Sequence, residues 1–323
     1  MSNVEAAPQE VVCGGDSARA ELVTPRAVPL GGPRAMTVRR TLPRRARSLI
    51  GAWCFIDHYG PDQVSATGGM AVPGHPHTGL QTVSWLFEGE IEHRDTTGAH
   101  ALVRPGELNL MTAGSGIAHS EFSTPGTRTL HGVQLWLALP VAHRETAPAF
   151  RHHAPSPVRH DDATLRVFLG SLAGQTSPVE TFSPLLGAEV VLPAGGRFSV
   201  PVTSSFEHGV LVDTGSVDVR DTAAESGELV YLPPGASEIE IRAVSDGETR
   251  VLLLGGEPLG EQIVMWWNFV GSSHDEIAAF REQWQRERAA GGSATGRFGA
   301  FPQAWDSTLP APELPNARLT PRE

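Results

Sequence analysis

The sequence predicts an all-β protein: two antiparallel β-barrels of the jelly-roll kind, with one helix near the C-terminus. Three observations lead there. A chain of 323 residues is longer than one small core needs, so two domains of roughly 100 to 150 residues each are expected. With 35 Gly, 26 Pro and 40% hydrophobic residues but little sustained helical periodicity, it is turn-rich and mainly β. It also repeats itself. Gly106-Glu107-Leu108 followed by Thr112-Ala113-Gly114 matches Gly227-Glu228-Leu229 followed by Pro233-Pro234-Gly235 at equal spacing, and Gly89 with Arg94-Asp95 matches Gly215 with Arg220-Asp221. Two copies of one barrel module account for this.

Taken in order, residues 1–20 are small and polar without a period and read as a disordered tail. Residues 21–147 form the first barrel, built from runs such as Thr82-Val83-Ser84-Trp85-Leu86-Phe87 between Gly-containing turns. Pro148, Pro155 and Pro157 with the pair His152-His153 mark a linker over 148–164. A second barrel domain spans 165–300 and ends in the helix. There Ser273 with Glu276 makes a capping-box pattern, Ile277, Phe280 and Trp284 share one face, and Gly291-Gly292 stops the helix. That apolar stripe reads as packing against a barrel. Residues 301–323 are a Pro-rich tail.

Composition removes several functions. The chain has no lysine, which excludes a Schiff-base lysine and a Walker-type phosphate loop. A formal charge of -11 repels nucleic acid, and the basic run Arg39 to Arg47 reads as a solvated loop paired with acidic neighbours, so no direct nucleic-acid binding is expected. No apolar run reaches membrane-spanning length and no secretory signal is evident, which makes the cytoplasm the expected location and no membrane the expectation. Cys13 and Cys54 are too few for a disulfide framework and read as free thiols.

Chemistry concentrates in Pro73-Gly74-His75-Pro76-His77 and, further on, Ala118-His119-Ser120-Glu121. On a strand, residues i and i+2 share a face, so H-x-H and H-x-E each aim two ligating groups the same way. Two such strands inside a barrel surround one ion with four ligands: His75, His77, His119 and Glu121. Among 13 histidines a lone H-x-H is a weak signal, and the second pair strengthens it. Three imidazoles and one carboxylate leave two positions open on an octahedral ion. That suits Fe(II), Mn(II), Ni(II) or Co(II) better than a closed thiolate zinc site. Gly114-Ser115-Gly116, Pro105-Gly106 and Glu88-Gly89-Glu90 supply the tight turns a small barrel needs.

The run HPHTGLQTVSWLFEGEIEHRDTTGAHALVRPGELNLMTAGSGIAHSE resembles the signature region of the pirin family, within the cupin superfamily. Arg39 to Pro61, with Leu42-Pro43 and Phe55-Ile56-Asp57-His58, resembles the family's N-terminal entry. Gly256-Glu257-Pro258-Leu259 with Met265-Trp266-Trp267-Asn268-Phe269 resembles the C-terminal part of bacterial members, so the likeness covers roughly residues 20 to 290. The resemblance implies a bicupin fold and the same four ligands. It implies one divalent transition metal, Fe(II) foremost, with Ni, Co, Mn, Cu or Zn as other occupants. It implies two functions. One is quercetin 2,3-dioxygenase activity, in which O₂ opens a flavonol ring, carbon monoxide leaves, and Glu121 is the catalytic residue that takes the proton of the flavonol 3-hydroxyl. The other is a non-enzymatic, metal- or redox-dependent regulator that binds a transcription factor or a metabolic enzyme, with the Arg39 to Arg47 segment as its interaction patch.

Departures from the family pattern also matter. Many pirins and other cupins carry a glutamate four residues after the second histidine, where this chain has Gln81, so Glu121 is left as the only carboxylate ligand. In the second barrel the H-x-H positions fall at Pro201 and Thr203 and the H-x-E positions at Glu240 and Arg242, so no second metal is expected. His208 reads as a surface or structural histidine. His58 and His93 are candidates to support the ligands from behind, while His100 and His131 have no assigned place. Ser115 lacks the spacing of a nucleophile elbow. Trp85, Trp136, Trp266 and Trp267 read as core, or as aromatics at a barrel mouth that hold a flat substrate.

Overall fold

In the computed structural model, which describes residues 20–29, 36–45 and 47–322, the alternating runs form two barrels, each with a seven-stranded and a four-stranded antiparallel sheet. The larger sheet of the first barrel runs Ala149–His153, Leu108–Thr112, Leu80–Glu88, Thr129–Ala138, Trp53–Gln63, Thr37–Leu42, Arg26–Pro29. Its smaller sheet runs Ala71–His77, Ile117–Ser123, Ile91–Asp95, His100–Val103. The second barrel repeats this order strand for strand, with Arg197–Pro201, Glu238–Ala243, Ser216–Val219 and Thr222–Glu225 as its smaller sheet. The matched glycines are the mechanical reason for the repeat. Gly89 and Gly215 (φ 92° and 81°) and Gly106 and Gly227 (φ 72° and 89°) adopt left-handed conformations that favour glycine.

The domain boundaries are corrected, and Val158–His160, expected in the linker, pairs with Ala163–Leu165 in the second barrel. Glu21–Val23, expected in the first barrel, pairs with Leu229–Tyr231 at the edge of the second. Ala149–His153, expected in the linker, pairs with Leu108–Thr112 and closes the same edge of the first. The second barrel therefore takes its edge strand from ahead of the first barrel, the first takes its own from the segment that follows it, and each strand covers an otherwise open row of backbone groups. The tail expected over residues 1–20 lies outside the described residues except for Ala20, as does Cys13. Cys54 is buried and free, with its thiol pushed up to about 12 by burial.

Between the barrels Trp53, Val83, Trp85 and Leu135 pack on Phe168, Leu211, Leu252 and Leu254. Trp85 Nε1 donates to Glu189 at 2.7 Å and Trp53 Nε1 to the Gly255 carbonyl at 3.1 Å, so both indoles are satisfied across the seam. The basic run is a solvated loop only in part: Arg45 is exposed, and Arg47 pairs with Glu21 at 3.0 Å. Arg40 lies buried in a two-pronged ion pair with Asp57 (both contacts 2.7 Å), Arg39 lies on His58, and Arg47 covers the Tyr231 ring at 3.6 Å. Strand alternation puts Arg40 on the inward face with Asp57 directly opposite.

The helix His274–Ala289 follows the second barrel in sequence but packs on the first. Ser273 caps it, accepting from the Glu276 N–H at 3.2 Å, and Ile277, Phe280 and Trp284 are buried with Ala118, Trp266, Trp267 and Phe269. The segment expected as a Pro-rich tail continues along the outer face of the first barrel's smaller sheet. Trp305 Nε1 donates to Ser120 Oγ at 2.8 Å, Leu309 N–H to the Gly74 carbonyl at 2.8 Å, and Arg322 pairs with Ile263. A Cβ on Gly74 would lie 2.5 Å from the Trp305 ring, so glycine is what lets this segment close on the strand of His75 and His77. Among the described residues no helix is long and apolar enough to cross a membrane.

Candidate metal centre

His75 and His77 alternate on Ala71–His77, and His119 stands directly opposite His75 on Ile117–Ser123, so cross-strand pairing sends all three imidazoles into the first barrel. All three are fully buried. One nitrogen from each lies within 4.8 Å of the others. His77 Nε2 and His119 Nε2 are 3.1 Å apart. Adjacent ligands at right angles on an ion with bonds of about 2.0 to 2.1 Å sit about 3 Å apart, so this spacing suits an octahedral site. His75 donates its Nδ1 hydrogen to the Pro73 carbonyl at 2.9 Å, which leaves a bare, buried Nε2 with no partner. Burial, and then the other histidines of the cluster, hold His77 and His119 well below the usual imidazole range, and burial does the same to His75. Neutral imidazoles with free lone pairs are what a divalent ion requires. The residues present fit a metal.

Glu121 is buried on the same strand, but it does not join the group whose ligand atoms lie within 4.8 Å of one another. The pairing beside it is irregular. Pairing runs regularly to His119 opposite His75 and then slips, so that Glu121 faces Val72 instead of Pro73. On its other side Ile117–Ser123 stays in unbroken register with Ile91–Asp95, so Glu121 keeps the side of the strand that His119 occupies and stands opposite His93. Tyr59 lies close enough for the Glu121 charge to act on it, and burial followed by Glu121 pushes its hydroxyl well above the usual phenol range. Its Oη is buried with no partner.

Gln81 is also resolved. It pairs across from Leu137 and Thr112, donates to Thr112 Oγ1 at 2.9 Å, and shares its face with Val83 and Trp85, which pack on the second barrel. The position therefore points away from the three imidazoles whatever residue it carries. A Gln81→Glu variant should bind the same single ion with unchanged affinity in a chelator competition, while losing stability because it places a charge at a buried position. Binding tighter by about tenfold or more would show that the side chain reaches the centre.

The histidines around the motif divide. His93 sits directly opposite Glu121, with its Nδ1 3.3 Å from His119 Nδ1. It reaches Asp95 through Nε2 at 3.0 Å. Sequence reading overlooked Asp95, although His93-Arg94-Asp95 has the same period of two as the ligand pairs. His58 and His131 face the other barrel, where Asp213 Oδ1 is 2.7 Å from His58 Nε2 and 2.6 Å from His131 Nε2. This trio has the spacing of a metal site. Arg39 Nη2, however, lies 3.1 Å from His58 Nε2, and Arg250 Nη1 lies 3.1 Å from Asp213 Oδ2. Two guanidiniums oppose a cation there, and the trio serves as a buried polar junction between barrels, with His58 and Asp213 hydrogen-bonded across it.

In the second barrel Pro201, Thr203, Glu240 and Arg242 are exposed, and the interior is filled by Phe198, Val200, Ile239, Ile241 and other apolar residues. His208 is fully buried, its ring held at about 4 by burial. Trp136 lies inside the first barrel, stacked on Phe55 at 4.0 Å and edge-on to His77 at 5.1 Å.

Comparison with known proteins agrees with this fold. Residues 35–137 match the Pirin family model and residues 187–290 match the model of the Pirin C-terminal cupin domain. A Pseudomonas aeruginosa protein provisionally named a quercetin 2,3-dioxygenase is 43% identical over 294 residues, covering 91% of this chain and 90% of that one. A pirin-like protein of Caulobacter vibrioides is 36% identical, covering 78% of this chain and 88% of that one. A crystal structure of quercetin 2,3-dioxygenase from Acinetobacter baumannii superimposes with a TM-score of 0.85 at 36% identity, covering 94% of this chain and 97% of that one.

Proposed function

The chain belongs to the pirin family, and from that premise we propose that it is an oxygenase of the quercetin 2,3-dioxygenase type, holding one divalent transition metal through His75, His77, His119 and Glu121. The supporting observation is the convergence of three buried imidazoles, with His77 Nε2 and His119 Nε2 3.1 Å apart and His75 Nε2 without a partner. Iron(II) is the ion assigned to the site, since nitrogen and carboxylate donors with open positions suit it. Bound there, the ion supplies a Lewis-acid position for a flavonol 3-oxygen and a redox partner for O₂.

The protein's own groups supply the rest. Glu121 is the carboxylate beside the centre and takes the proton of the incoming 3-hydroxyl at a carboxylate oxygen. A carboxylate beside a cation is a weak base, so Glu121 would act as base most readily where it is not also engaged as a ligand. Trp136 stacked on Phe55 gives the interior an apolar wall, and water excluded from it strengthens the electrostatic contacts inside. Tyr59 holds its proton through burial and the charge of Glu121, and its buried hydroxyl has no partner among the described residues. In the segment that the regulator reading offers as its interaction patch, Arg39, Arg40 and Arg47 are engaged within the chain, while Arg45 is exposed.

Metal analysis of protein purified without air, followed by quercetin turnover in air, tests this reading. One ion per chain with quercetin-dependent O₂ uptake and carbon monoxide release is the expected result. An ion without turnover would overturn the oxygenase, and a chain without an ion would overturn the site.

A further inference from the structure

Behind His119 runs a chain of contacts that the ligand set does not use. His119 Nδ1 lies 3.3 Å from His93 Nδ1, and His93 Nε2 lies 3.0 Å from Asp95 Oδ2. The other Asp95 oxygen, Oδ1, accepts from Thr97 N–H at 2.8 Å, Thr97 Oγ1 at 2.6 Å and Ala99 N–H at 3.2 Å. His93 is itself fixed by stacking on Phe150 at 4.8 Å, and both His93 and Asp95 are almost fully buried. Burial raises the Asp95 carboxyl, but the hydrogen bonds from His93 and Thr97 outweigh it and leave the group below the usual carboxylate range.

We propose that Asp95, acting through His93, sets the tautomer in which His119 presents Nε2 to the metal. An ionised carboxylate only accepts, so the hydrogen of a neutral His93 must sit on Nε2. That leaves His93 Nδ1 bare, and the facing His119 Nδ1 must then carry a hydrogen to donate. His119 Nε2 is bare in consequence, and it is the atom 3.1 Å from His77 Nε2. A buried acceptor two residues removed from the ligand thus decides whether the ligand has a lone pair to offer. His93 and Asp95 are positioning residues. The inference rests on the metal reading of the His75, His77 and His119 cluster.

The informative variant is Asp95→Asn. The amide oxygen keeps the turn contacts to Thr97 and Ala99, while the amide nitrogen replaces Oδ2 and offers N–H to His93 Nε2. His93 must then accept there and carry its hydrogen on Nδ1, which forces His119 to hold its hydrogen on Nε2, the wrong atom for a ligand. His93→Phe removes the relay without imposing either tautomer, and its ring packs against Phe150.

Cobalt(II) is a suitable probe, because its visible spectrum reports coordination independently of turnover. In chelator competition His93→Phe should bind it about 10- to 100-fold more weakly than the wild type, and Asp95→Asn more weakly still, by more than about 100-fold. The double variant Asp95→Asn, His93→Phe should return to the level of His93→Phe. In metal-free protein, imidazole nitrogen NMR shifts should place the His119 hydrogen on Nδ1 in the wild type and on Nε2 in Asp95→Asn. Equal cobalt affinity in wild type and Asp95→Asn, the same His119 tautomer in both, or a double variant no tighter than Asp95→Asn would overturn the relay. A wild type that takes up no cobalt would instead overturn the metal reading on which it rests.

Discussion

Asp213→Ala is expected to lower the stability of the whole chain by about 3 to 5 kcal/mol, the range for removing one partner of a buried charged network. Asp213 belongs to the second barrel and its side chain is fully buried. It receives His58 and His131 from the first barrel, and Arg250 Nη1 at 3.1 Å and Thr214 Oγ1 at 2.9 Å from its own. Burial alone would raise its carboxyl. Contacts with His131 and His58 win, and the group stays ionised far below the usual range. Alanine would leave two imidazoles and one guanidinium without their acceptor at the seam. Asp213→Asn keeps the shape and should cost less, about 1 to 3 kcal/mol. Denaturant unfolding with an exposed control such as Asp161→Ala would measure this, and a loss under about 1 kcal/mol for Asp213→Ala would show that the junction is not what joins the barrels.

The same junction predicts how acid acts on the protein. His58 has a lowered pKa, with burial as the leading cause, so the unfolded chain binds its proton first as pH falls. The stability tied to neutral His58 is complete above its unfolded value of about 6.5 and declines below it. Asp213 is also lowered, so its contribution is complete above about 3.9 and is lost as pH falls further. Asp213→Ala should retain a decline below about 6.5 and lack the lower one.

His119→Ala is expected to abolish stoichiometric metal binding. If the binding free energy of about 10 to 16 kcal/mol typical of a four-ligand site is shared among its ligands, each is worth about 3 kcal/mol, or more than a hundredfold in affinity. His119 has the most neighbours in the cluster, with ring centroids 4.3 Å from His75, 5.0 Å from His77 and 5.1 Å from His93. The discriminating control is His58→Ala, which should keep its ion and lose stability instead, because His58 serves the junction with Asp213. Metal content by elemental analysis, with unfolding curves on the same samples, separates the two outcomes. A His119→Ala chain that retains one tightly held ion would sink the proposed ligand set.

Much of this protein was legible in its sequence because the relevant signals are local. Alternation with a period of two placed His75 with His77 on one face, equal glycine spacings revealed the repeated barrel, and Ser273 with Glu276 marked the helix start. Each depends on residues a few positions apart, whose relation is set by backbone geometry before any tertiary contact forms. The same period could have found Asp95 beside His93.

Other features were decided only by tertiary structure. The slip that sets Glu121 opposite Val72, the face on which Gln81 lies, and the pairing of Glu21–Val23 with the second barrel all depend on which strand lies alongside. Where His58 points was decided by a partner far away in the chain. His58 lies 155 residues from Asp213, and Trp305 crosses 185 residues to reach Ser120. A local pattern cannot encode such pairs, because they form only when two separately built surfaces meet and bury each other's polar groups. The sequence by itself determined which side chains can ligate and on which strands they alternate. The packing of one barrel, one helix and the closing C-terminal segment against the other decided which of them meet.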